Sequence, residues 1–123
     1  MSMSRILLVG AGGALGAIGR YVLSLLPVRG DFPLITLCTN FLGALLIGFV
    51  VGLAGAGKLG GGGTLFWKTG VCGGFTTFST FSLESLTLLE KGKWLLGGSY
   101  MILSAGLCLL GVALGRRLGQ QAA

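Results

Sequence analysis

Apolar residues gather in four long runs, residues 5–26, 33–56, 65–90 and 94–116, parted by short intervals rich in glycine, proline or lysine. Each run is long enough to cross a hydrocarbon core, which takes about 20 residues of helix. The apolar hearts of the second and fourth, 34–56 and 94–114, contain no charge at all. One four-helix transmembrane domain over residues 1–123 is expected. The third run departs from simple hydrophobicity: in Gly73-Gly74-Phe75-Thr76-Thr77-Phe78-Ser79-Thr80-Phe81-Ser82, three phenylalanines alternate with five hydroxyl side chains. Adjacent glycines loosen helical geometry, and neighbouring Ser/Thr hydroxyls satisfy backbone groups that a broken helix would strand in lipid. The third helix is therefore expected to break mid-membrane, and this stretch is the candidate site. With helix resuming near Thr77, Phe78, Phe81, Ser82 and Ser85 share one face while Thr77, Thr80 and Glu84 share the next.

Composition agrees with a bilayer as solvent: 123 residues are 53% hydrophobic and 10% charged, with a mean hydropathy of +0.92. The run after Arg5 is too long for a signal-peptide core and carries Arg20, so the first span is expected to stay in the membrane. Cys38, Cys72 and Cys108 are odd in number and lack CxxC spacing, which suggests neither a disulfide framework nor a metal site. Histidine is absent, removing the usual neutral-pH proton shuttle. The net charge of +6 caps hydrophobic spans instead of forming a basic face, so lipid headgroups, not nucleic acid, are the expected neighbours. Arg5, Lys58, Arg116 and Arg117 fall on one side of four spans and Arg29, Lys91 and Lys93 on the other. So even a Lys/Arg balance predicts weakly specified orientation, which allows insertion both ways and leaves room for an antiparallel dimer.

Two motifs imitate nucleotide-binding loops and fail on context. The glycines after Arg5 have Leu15 at the third glycine position of GxGxxG and no βαβ pattern around them; Gly57-Lys58 is followed by Leu59 where a P-loop needs Ser or Thr. Gly12 and Gly16, and again Gly48 and Gly52, read as small-residue faces for close helix packing. Gly60 to Gly63 read as a flexible connection, and Trp67 and Lys68 as interface markers. Arg20 either snorkels or attracts anions, Asn40 either glues helices or lines a path, and Glu84 is either a structural partner or a proton-coupling group. Tyr100, Ser104 and Cys108 form a stripe at four-residue spacing that ends at Val112.

Gly13-Ala14-Leu15-Gly16-Ala17 with Arg20-Tyr21, Thr36-Leu37-Cys38-Thr39-Asn40-Phe41-Leu42-Gly43, and the Gly73–Ser82 motif followed by Glu84 together resemble the Fluc fluoride-channel family, also called CrcB. The resemblance covers all four spans in order. It implies an all-α membrane protein that assembles as an antiparallel dual-topology homodimer in the cell's inner membrane and passes fluoride through two pores. By the same resemblance, Asn40, Phe78, Phe81, Tyr100 and Ser104 line the fluoride path, with Thr77, Ser79 and Thr80 adding hydroxyls. Arg20 and Glu84 fall to vestibule or structural roles. Backbone carbonyls of Gly73 and Thr76 would hold a structural sodium ion between subunits. Cys108 and Val112 depart from the hydroxyls expected along the fourth helix. The rival reading is a small four-helix proton-coupled multidrug exporter that would work through Glu84. No nucleophile–base pair or metal cluster suggests an enzyme.

Overall fold

The computed structural model describes residues 1–122, all of whose regular structure is helical. Helix α1 spans Met3–Ser24 and is capped by Ser2, whose hydroxyl accepts from the Arg5 N–H at 3.4 Å. Helix α2 spans Leu34–Gly55. We call the continuous helix over residues 61–75 α3; it comprises Gly61–Thr64, a widened π-helical stretch Leu65–Cys72, and Gly73–Phe75. Helix α4 spans Phe78–Glu90 and α5 spans Trp94–Ala122. The three helices α1, α2 and α5 are each long and apolar enough to cross a membrane. Between α3 and α4, Thr76 and Thr77 take extended backbone, with ψ of 155° and 116°.

The Gly60–Gly63 segment, expected as a flexible connection, is instead helical from Gly61 onward. Its start is held by the Thr64 hydroxyl, which donates to the Gly60 carbonyl at 2.9 Å, and by Leu59, whose side chain lies over Gly63. Local anchoring at both ends of the run outweighs glycine's preference for coil.

Small residues decide which helices meet. On α1, Gly12 lies against Gly70 of α3, and a Cβ at Gly16 would overlap the Val71 carbonyl. On α2, a Cβ at Gly48 would overlap the Val112 carbonyl of α5, and one at Gly115 the Leu45 carbonyl of α2. Lipid offers no hydrophobic drive for helix association, so this backbone-to-backbone contact is what joins the pairs. The structure thus consists of two zipped pairs, α1 with α3 and α2 with α5, with α4 laid against α5. Gly48→Val is expected to force α2 and α5 apart, costing about 1–3 kcal/mol or more as overpacking does. Thermal unfolding in detergent reads this directly, and an unchanged midpoint would contradict the close contact.

An ion pair between Asp31, before α2, and Lys93, before α5, ties those two connections together at one end of the molecule. Exposed pairs of this kind contribute little, so it is a tether of register more than of stability.

Candidate functional site

The extended pair Thr76–Thr77 is held by a side chain from another helix. Asn40 of α2 accepts from the Thr77 N–H at 2.8 Å through Oδ1 and donates to the Thr77 carbonyl at 3.1 Å through Nδ2. This two-point contact mimics a strand neighbour and fixes which way the Asn40 amide faces, since only its oxygen can accept from an N–H. Thr77 also caps α4: its hydroxyl accepts from the Thr80 N–H at 3.1 Å. A glycine is needed opposite Thr76, because a Cβ at Gly43 would overlap the Thr76 methyl.

These contacts redirect donors that a continuous helix would use internally. The Thr77 N–H serves Asn40 instead of the Gly73 carbonyl, and the Thr80 N–H serves the Thr77 hydroxyl instead of the Thr76 carbonyl. Gly73 and Thr76 therefore present carbonyl oxygens without their helical donors. Space is open beside Gly73, where a Cβ would meet nothing within 4 Å. The Gly74 carbonyl is met by Arg20 of α1, whose Nε donates at 3.2 Å, and the Cys72 carbonyl by both the N–H and the hydroxyl of Thr76 at 3.0 and 2.8 Å.

Beyond the extended pair the rings form a stair. Phe78 and Phe81 have centroids 5.6 Å apart, Phe81 and Tyr100 of α5 5.2 Å, and Tyr100 meets Phe32 edge-on at 5.6 Å. Phe78 is 78% exposed, Phe81 half-buried and Tyr100 fully buried. The Tyr100 hydroxyl donates to Glu84 Oε1 at 3.0 Å, so the carboxylate of α4 holds the deepest ring in place. Ser82, Ser85 and Thr87 turn their hydroxyls back onto carbonyls four residues earlier, at 2.8 to 2.9 Å, and so complete the helix instead of presenting donors outward.

A groove of about 410 Å³ runs along this region, and Asn40, Thr76, Thr77, Phe78, Phe81 and Ser104 all border it, together with Gly73. Ser104 is 7% exposed, and its hydroxyl has no hydrogen-bond partner among the described residues. Buried polar side-chain atoms are nearly always paired, so this hydroxyl, within a residue that borders the groove, is an exception. Asn40 has one Nδ2 hydrogen left after serving Thr77. No carboxylate is among the residues that border the groove.

Of the residues singled out in the sequence, Ser79, Thr80, Tyr100, Arg20 and Glu84 do not border the groove. Ser79 is exposed with its hydroxyl 3.3 Å from that of Thr77, Thr80 is tied to the cap, and Tyr100 lies behind Phe81. Arg20 reaches across to the Gly74 carbonyl of α3 through its Nε. Sequence reasoning did not place Cys72 and Lys68 on the groove, although both border it. Their four-residue spacing with Thr76 was the available signal.

Helices apolar enough to cross a bilayer, with a carboxylate-free groove bordered by neutral donors, fit the class of membrane proteins that pass small solutes. Within that class the chain belongs to the CrcB-like protein family, described as Camphor Resistance (CrcB), which matches residues 7–116. It is 43% identical over 118 residues to the fluoride-specific ion channel FluC of Clostridium perfringens strain 13, covering 93% of this chain and 92% of that one. The FluC proteins of Methanococcus maripaludis, 46% identical over 115 residues with 93% and 94% covered, and Pyrococcus abyssi, 40% identical over 123 residues with 95% and 100% covered, are similarly related. The family is one of ion channels, not of enzymes.

Proposed function

We propose that the chain is a passive, fluoride-selective channel that relieves cytoplasmic fluoride, built as an antiparallel homodimer in the inner membrane with two pathways and a sodium ion between the subunits. The observation that carries this reading is a carboxylate-free groove bordered by Asn40, Phe78, Phe81 and Ser104, on which Asn40 keeps one amide hydrogen unused. Fluoride is small and strongly hydrated, so a dry path must supply donors in place of water. Ser104 supplies an O–H, and Asn40 its second amide hydrogen. The positive ring edges of Phe78 and Phe81 add contacts that hold an anion without burying a full charge. Several modest sites in series admit the ion and still release it.

The interruption at Thr76–Thr77 lies mid-membrane in this reading, where irregular backbone is tolerated because it borders a cavity. The Gly73 and Thr76 carbonyls, freed of their helical donors, suit a hard cation such as sodium, and the open space beside Gly73 leaves room for the ion and a partner subunit. Bound there, the cation would add fixed positive charge close to both pathways. Balanced Lys/Arg counts on the two sides support insertion in both orientations. Glu84 is engaged by Tyr100 and stands apart from the groove, which counts against the proton-coupled exporter.

Purified protein in liposomes, loaded with fluoride and chloride and with no proton gradient imposed, tests the proposal. Rapid fluoride loss with chloride retained is the expected result. Retention of both anions by folded protein would overturn it.

A further inference from the structure

The groove is chemically lopsided. At one end it is bordered by Asn40, Thr77 and Ser104; one turn on come Ala44 and Cys108, and at the far end Ile47 and Val112. From Ser104 to Val112 is eight residues of helix, about 12 Å, over which no hydroxyl of α5 borders the groove. Helices α2 and α5 run parallel, Ala44 lying beside Gly111 and Gly48 beside Val112 and Arg116. Helix α3 returns from α2 through a short connection and meets Gly43 at Thr76, so it runs the opposite way. Lys68, two turns before Thr76, therefore comes to the Ile47–Val112 end. Among the bordering residues it is the one with a charge, it is exposed, and among the described residues it makes no ion pair.

We infer that Lys68 is the anion-attracting group of the apolar end of the groove, taking over where the polar side chains stop beyond Ser104. The inference rests on the groove being the fluoride pathway. A unit positive charge between low-dielectric walls raises the local anion concentration and the entry rate. Lysine fits this task because its ammonium is strongly hydrated and carried on a flexible four-carbon stem, so it draws an anion in without clamping it as a planar guanidinium would. Such a charge favours every small anion alike. Lys68 thus sets the rate of passage, while the neutral donors around Asn40 and Ser104 set its selectivity.

The test compares fluoride efflux from liposomes carrying the unaltered protein, Lys68→Met and Lys68→Arg, at low and high concentrations of an impermeant salt. Lys68→Met is expected to slow efflux on the order of tenfold at low ionic strength. The deficit should close toward 1 M salt, where the screening length falls to about 3 Å. Lys68→Arg should recover most of the rate, and chloride should stay excluded in all three. Should Lys68→Met not be recovered folded, Lys68→Gln makes the same comparison. Fast fluoride loss through the unaltered protein, matched by the neutral variant at every ionic strength, would overturn this inference alone. Absence of fluoride loss from the unaltered protein would overturn the pathway reading with it.

Discussion

Fluoride efflux through a Phe81→Ile channel is expected to fall about 10- to 100-fold while the protein still folds. Phe81 is the middle ring of the stair, between Phe78 at 5.6 Å and Tyr100 at 5.2 Å, and it borders the groove. Isoleucine is similarly apolar but has no positive ring edge. Losing an edge contact of about 1.4–2.8 kcal/mol at the top of the barrier gives that fall in rate. Folding should survive, because the half-buried ring stacks on neighbours that remain anchored, Tyr100 by Glu84 among them. Efflux and size-exclusion profiles measured on one preparation separate the two effects. Full flux through Phe81→Ile would take the ring out of the mechanism.

Asn40→Ala is expected to remove both flux and stability. It strips the Thr77 N–H and carbonyl of their partners at once, and each buried group left unpaired costs about 1–3 kcal/mol. The same change removes the spare amide hydrogen proposed to meet the ion. Asn40→Asp divides the two roles: it can still accept from the Thr77 N–H, but it offers no amide hydrogen and places negative charge on an anion's path. Asn40→Asp should therefore retain more thermal stability than Asn40→Ala and equally little flux. Normal flux in Asn40→Asp would mean that Asn40 serves only as a brace for the backbone.

Much of the helical layout was legible because it is local. Apolar runs gave α1, α2 and α5, and small-xxx-small spacing gave the faces that Gly12, Gly16, Gly48 and Gly52 use for packing. The partners of the polar groups were not legible, because they come from distant parts of the chain. Arg20 meets a carbonyl 54 residues away, Asn40 a backbone unit 37 away and Tyr100 a carboxylate 16 away. No periodicity within one helix encodes such pairings. Of the hydroxyl residues assigned to the path, Ser79 and Thr80 do not border the groove: Ser79 pairs with Thr77, and Thr80 is tied to the cap of α4. Lys68 beside Trp67 read as an interface marker, and only the packing of α3 against α2 brings it to the groove.

The glycine-zipped pairs interleave along the chain: α1 closes on α3, and α2 on α5. Neither pair joins helices that are consecutive in sequence, so a helical hairpin emerging from synthesis holds only half of each interface. During biogenesis the Gly48–Gly52 face of α2 stays without its partner until α5 has been inserted. The two pairs therefore close after their helices have been made, and the groove comes into being only when α5 joins α2 in the bilayer.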